Sequence, residues 1–100
     1  RSLYHPWGVS KLLEQRENYT AAELRIYELA SLQLPGDTRA TQHFLVLSGQ
    51  AKVTAGSDKK SLDTGHSFTP STKGGINIEN VGTGELCMMH VKINQLKKLS

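Results

Sequence analysis

Four histidines, His5, His43, His66 and His90, and one cysteine, Cys87, are the side chains of this chain best suited to metal binding, acid–base work or nucleophilic attack. Their spacing argues against most of that chemistry. A zinc-type site needs several imidazole, thiolate or carboxylate ligands converging on one point. No two histidines stand two or three residues apart, so no single strand or turn supplies a local ligand pair. The lone cysteine excludes an intramolecular disulfide and a cysteine cluster. It lies in Leu86-Cys87-Met88-Met89, an apolar run that predicts a buried, inert thiol, and its solitary use fits a cytoplasmic home. Ser48 and Ser67 have no base beside them and read as turn and strand residues. The pair Gly74-Gly75 offers backbone amides of the kind that hold a phosphate, although a plain loop accounts for it more simply.

Short strands must position these residues. Gln42–Leu47 and Ala51–Ala55 are alternating apolar runs joined by a Ser48-Gly49 turn, and Gly65–Asn80 repeats the turn-strand-turn pattern. Both faces of Gln42–Leu47 carry apolar residues, which predicts a strand covered on both sides. Ahead of them, Tyr4-His5-Pro6-Trp7-Gly8 is an extended segment anchored by aromatics, because a residue before proline is pushed out of helical geometry. Val9–Glu14 then reads as an edge strand and Gln15–Tyr19 as a polar turn. Thr20–Leu34 is ambiguous. Thr20-Ala21-Ala22-Glu23 has the form of a helix capping box, yet Leu24, Ile26, Ala30, Leu32 and Leu34 share one parity. The surrounding strands favour one long, bulged strand. Ser61-Leu62, Ser67–Thr69, Ile76–Glu79 and Leu86–Ile93 complete the series, punctuated by Pro35-Gly36-Asp37, Gly56-Ser57-Asp58, Pro70 and Gly82-Thr83-Gly84. Asn94–Ser100 reads as one helical turn or a tail. Turn signals at this spacing indicate an all-β sandwich or jelly-roll barrel.

One hundred residues, 37% of them hydrophobic, suffice for one domain with a modest core. No window approaches the length of a bilayer-spanning helix, and no basic-then-apolar leader pattern opens the chain. It begins at Arg1, which fits a domain cut from a longer protein. The net charge of +3 comes partly from the turn pair Lys59-Lys60 and from Lys92, Lys97 and Lys98. The aromatics lie mostly far from these lysines, so a solvated basic surface is expected in place of nucleic-acid binding. The same field favours anionic small molecules.

Three segments, in order, resemble one known family. These are Pro6-Trp7-Gly8, then Thr41–Thr54 (Thr-Gln-His-Phe-Leu-Val-Leu-Ser-Gly-Gln-Ala-Lys-Val-Thr), then Gly65, Pro70 and Ile78-Glu79-Asn80. They are similar to the cupin domain of type II mannose-6-phosphate isomerases, often the C-terminal part of a bifunctional mannose-1-phosphate guanylyltransferase. The resemblance runs from about Tyr4 to Ile93. It implies a cupin-type double-stranded β-helix and a role in supplying sugar nucleotides for surface polysaccharide.

The departures from the family fall on its chemistry. The resemblance implies a zinc held by a histidine-rich stretch, a glutamate at the start of the central strand and a later histidine. Here those positions read Asp37-Thr38-Arg39-Ala40, Gln42 and Ile76. A glutamine is a weak ligand and an isoleucine is none, so the sequence predicts no metal and no cofactor. Gln42 is implied to point into the barrel, which puts His43 on the opposite face, at a subunit or N-terminal-segment contact. His66 falls in an exposed turn. His90 is able to point inward, most simply as a structural histidine. The candidate pocket is therefore Gln42, Phe44, Ile76, His90 and Arg25, with no catalytic residue assigned. The expected ligand is a sugar phosphate or nucleotide sugar, with no nucleic-acid or membrane partner and a homodimeric assembly. The leading function is a metal-free binding module or an accessory or dimerisation module. The alternative is an active isomerase, in which His90 with Arg25 or Lys52 moves the proton and polarises the carbonyl.

Overall fold

The computed structural model describes residues 1–95. It is all-β among those residues: β1 (Ser2–His5), β2 (Gly8–Gln15), β3 (Tyr19–Ile26), β4 (Ser31–Leu34), β5 (Ala40–Ser48), β6 (Ala51–Ala55), β7 (Asp58–Leu62), β8 (Ser67–Phe68), β9 (Ile76–Asn80) and β10 (Leu86–Asn94). They form a six-stranded sheet ordered β1-β2-β3-β10-β5-β8 and a four-stranded sheet ordered β4-β9-β6-β7, every pairing antiparallel. From β3 onward the chain passes back and forth between the sheets in jelly-roll order, and the β1–β2 hairpin extends the larger sheet.

Alternation sets the core. On β5, Ala40, Gln42, Phe44 and Val46 turn inward and are buried, as are Ala51, Val53 and Ala55 on β6. Leu24 and Ile26 of β3, Leu86 and Met88 of β10, and Ile76 and Ile78 of β9 close the apolar interior between the sheets. The outer face of β5 departs from expectation. Leu45 and Leu47 are 37% and 40% exposed, so only one side of this strand is covered.

Thr20–Leu34 is two strands and not one. The chain leaves the larger sheet at Ile26, turns through Tyr27–Ala30, and joins the smaller sheet as β4. Leu29 takes a φ of +67° in that turn, a left-handed conformation unfavourable for a side chain with a Cβ. Asn80 stitches the corner, its Nδ2 donating to the carbonyls of Ile26, Tyr27 and Gly84 at 3.0, 3.1 and 2.9 Å. Parity could not reveal the corner, because Leu24, Ile26, Leu32 and Leu34 all face the same core from different sheets.

Three smaller expectations change. Val9–Glu14 is not an edge, since β2 pairs with β1 on one side and β3 on the other. Pro6-Trp7 is the turn of that hairpin, not a linear lead-in. Lys59 and Lys60 lie on β7. The hairpin turn before them is tighter than Gly56-Ser57-Asp58 suggested, with Gly56 at φ +61° and Asp58 already paired with Ala55. At the C-terminal end, Asn94 belongs to β10, and residues 96–100 of the expected turn or tail lie outside the described residues.

Candidate ligand site at the barrel mouth

The larger sheet's longest strands, β5 and β10, run side by side, with Phe44 opposite His90 and Gln42 opposite Lys92. Strand geometry puts these four side chains on the inner face at one end of the barrel, beyond the apolar layer of Met88 and Val46. His90 lies flat on Phe44, with ring centroids 4.7 Å apart and planes 5° from parallel. Its Nε2 is 2.8 Å from Oε1 of Gln42. An amide oxygen only accepts, so Nε2 carries the proton and Nδ1 keeps a lone pair. Burial, and secondarily the charge of Lys92, push the His90 pKa down to about 4, so the ring is neutral near pH 7.

Two polar groups remain for a ligand. Among the described residues neither Nδ1 of His90 nor Nε2 of Gln42 has a hydrogen-bond partner, and no unpartnered side-chain N or O is sealed from solvent. Nδ1 is an acceptor and the Gln42 amide a donor, a complementary pair for a hydroxyl. Beside them Lys92 extends its ammonium to Oδ2 of Asp37 at 2.7 Å. The other carboxylate oxygen of Asp37 accepts from the Arg39 amide at 2.8 Å. These contacts, Lys92 first and the Arg39 amide second, hold the Asp37 carboxyl below its ordinary range.

This donor set does not fit a divalent ion. One imidazole and one amide are too few, and the neighbouring carboxylate already has an ammonium on it. Among the described residues no three His, Cys, Asp or Glu side chains converge anywhere.

Of the five residues expected in the pocket, the structure brings Gln42, Phe44 and His90 together. Ile76 also faces the interior, 2% exposed, but on β9 of the other sheet between Ala55 and Leu34. Arg25 does not join them. It stands on the outer face of β3, bonded to Glu23 at 2.9 Å and Glu85 at 3.0 Å. It alternates with the inward Leu24 and Ile26, and alternation alone would have excluded it. Lys52 lies opposite Glu79 on the half-exposed outer face of the smaller sheet, so neither cation considered as a partner for His90 in proton transfer reaches it.

Lys92 and Asp37 are the site residues that sequence reasoning missed. Lys92 was legible in principle, two residues from His90 and so on the same strand face. Asp37 falls in the Asp37-Thr38-Arg39-Ala40 stretch that the resemblance puts at a ligand position, but its pairing with Lys92 depends on how the loop after β4 folds back.

The other histidines take structural places. His5 stacks on Trp7 at 4.4 Å and shares a 2.8 Å hydrogen bond with Ser10. His66 is exposed and its Nδ1 accepts from the Asp63 amide at 3.1 Å. His43 faces outward, with Nδ1 2.7 Å from Oγ1 of Thr69. Cys87 is buried, and desolvation raises its thiol pKa.

Comparison with known proteins agrees with this architecture. Residues 1–98 match the family "Mannose-6-phosphate isomerase C-terminal". The chain belongs to that family. It is 29% identical over 91 residues to mannose-1-phosphate guanylyltransferase 2 of Escherichia coli O157:H7, covering 91% of this chain but only 19% of that protein. Among solved structures, the cupin domain of Schizosaccharomyces pombe Cnp3 superposes with a TM-score of 0.79 at 16% identity, over 87% of this chain and 64% of that one. The protein TT1209 from Thermus thermophilus gives 0.81 at 13% identity, over 94% and 90%. The fold is a cupin double-stranded β-helix.

Proposed function

We propose that this cupin domain binds a sugar phosphate, or the sugar-phosphate part of a nucleotide sugar, at the barrel mouth without a divalent metal, as an accessory module in mannose-phosphate metabolism. The observation that carries the reading is the His90–Gln42 pair. A neutral imidazole with a free Nδ1 and an amide with free donors suit vicinal hydroxyls. The stacked His90 and Phe44 rings give an apolar floor, and Lys92 gives the positive charge that a phosphate requires. Likeness to a guanylyltransferase supports a mannose phosphate as the first ligand class to test.

The test is thermal unfolding in EDTA with mannose 6-phosphate, mannose 1-phosphate and GDP-mannose. A ligand at about a hundred times its Kd adds roughly 2.7 kcal/mol of stability, enough for a clear rise in Tm. A rise in EDTA is the expected result. A rise that requires zinc, or conversion of mannose 6-phosphate to fructose 6-phosphate by the isolated chain, would overturn the reading.

The outer face of the larger sheet favours a second role, association of two copies. Leu45, Leu47 and Ile93 are 37%, 40% and 41% exposed there, beside a groove of about 320 Å³ lined by His43, Leu45, Ser67, Thr69, Met89 and Val91. Light scattering on the chain and on Leu45→Glu tests this, with a dimer expected for the first and a monomer for the second.

A further inference from the structure

The mouth holds one anion already, and it is part of the protein. Asp37 sits on the loop between β4 and β5, and its carboxylate meets the Lys92 ammonium at 2.7 Å. Lys92 stands directly across the strand pair from Gln42. The Lys92 cation beside the hydroxyl-binding pair is therefore occupied by an internal carboxylate.

We propose that Asp37 is a tethered competitor for the anion subsite formed by Lys92, which a ligand phosphate displaces as its hydroxyls engage Gln42 and His90. The inference rests on the sugar-phosphate reading and adds the residue that selects for charge. Two observations and one chemical argument support displacement. The Asp37 and Lys92 side chains are 27% and 37% exposed, so the pair is reached by solvent, and exposed ion pairs are individually weak. A phosphate carries more charge and more acceptor oxygens than a carboxylate, so it competes with the tethered carboxylate for the ammonium. The loop is also held by contacts that do not involve Asp37. Gly36 lies against the backbone of Lys73 and Gly74, and the Lys73 ammonium donates to the Ala40 carbonyl at 2.9 Å. These contacts do not depend on the carboxylate and are kept when it is released from Lys92.

Displacement predicts that a neutral sugar and its phosphate respond differently to one substitution. Mannose and mannose 6-phosphate are titrated in EDTA into the unaltered chain, Asp37→Asn, Lys92→Gln and Lys92→Arg, following the Gln42 side-chain amide and the His90 ring by NMR. Asp37→Asn is expected to tighten mannose 6-phosphate about three-fold and to leave mannose unchanged. Lys92→Gln is expected to weaken mannose 6-phosphate about ten-fold, with Lys92→Arg retaining most of the affinity. In the unaltered chain the Arg39 amide, which donates to Asp37, should exchange faster with mannose 6-phosphate bound but not with mannose. If mannose 6-phosphate shifts the Gln42 and His90 signals yet Asp37→Asn binds it no more tightly, the competitor role is overturned and the binding site stands. If neither sugar shifts those signals in any variant, the sugar-phosphate reading falls and the inference falls with it.

Discussion

The two halves of β10 carry different tasks on one strand. Leu86 and Met88 are fully buried, facing Ile26, Leu24 and Val46 in a sealed apolar layer. His90 and Lys92, continuing the same inner face, meet Phe44, Gln42 and the Asp37 carboxylate in a region that solvent reaches. The first half needs only shape and hydrophobicity, so many residues would serve. The second depends on which atom is a donor, which an acceptor and which a charge. The barrel is therefore stabilised at one end and chemically equipped at the other, and substitutions in the two halves should separate stability from binding.

The largest effect is expected in the sealed layer. Met88→Ala, at a fully buried position, should cost about 3 kcal/mol in urea unfolding, while the surviving folded protein binds mannose 6-phosphate unchanged. A loss of binding with intact stability would erase the division. Acid sharpens it next. The folded pKa of His90 is about 4, below the unfolded value near 6.5. The unfolded chain therefore takes up the proton first, and stability falls as pH drops from about 6.5 through 4. The loss amounts to roughly 3 kcal/mol, and His90→Phe should flatten that part of the profile. Asp37, with a depressed pKa, adds a further loss only below its ordinary range, as its carboxylate is protonated at still lower pH.

Gln42→Glu is the third test. A carboxylate facing His90 and Lys92 should raise the His90 pKa toward or above its ordinary value, measurable from its ring resonances, and change stability at pH 7 by about 1 kcal/mol. An unchanged pKa would mean that the ring is not controlled by residue 42. The smallest effect lies outside both halves. Leu29→Gly in the β3–β4 turn should stabilise by about 0.5 kcal/mol, because glycine removes the left-handed strain at φ +67°.

Sequence periodicity reads the two halves unequally. Period-two alternation on Ala51–Ala55 is enough to place Val53 inside, and the turn residues mark most strand ends, but Gln42–Leu47 is apolar on both faces and alternation alone does not say which of them is covered. The inward course of Gln42 comes from the family resemblance and not from alternation, and that of His90 is only one of the directions its strand allows. What alternation cannot encode is a change of sheet, and so Thr20–Leu34 reads as one strand across the Ile26–Ser31 corner. It also cannot place a loop. Asp37 reaches Lys92 only because the segment after Leu34 folds over the mouth, a contact between residues 55 positions apart that depends on the whole barrel. Arg25 misleads differently. Its charge suggests a site, while its parity with Glu23 puts it outside, where both Glu23 and Glu85 bind it.

Everything proposed for the barrel mouth turns on its taking a sugar phosphate through His90, Gln42 and Lys92 with no metal present. The most direct measurement of this is an NMR titration of the EDTA-treated chain with mannose 6-phosphate, observing the His90 ring and the Gln42 amide. Saturable shifts of both signals in EDTA are the expected result. Shifts that arise only once zinc is restored would contradict it.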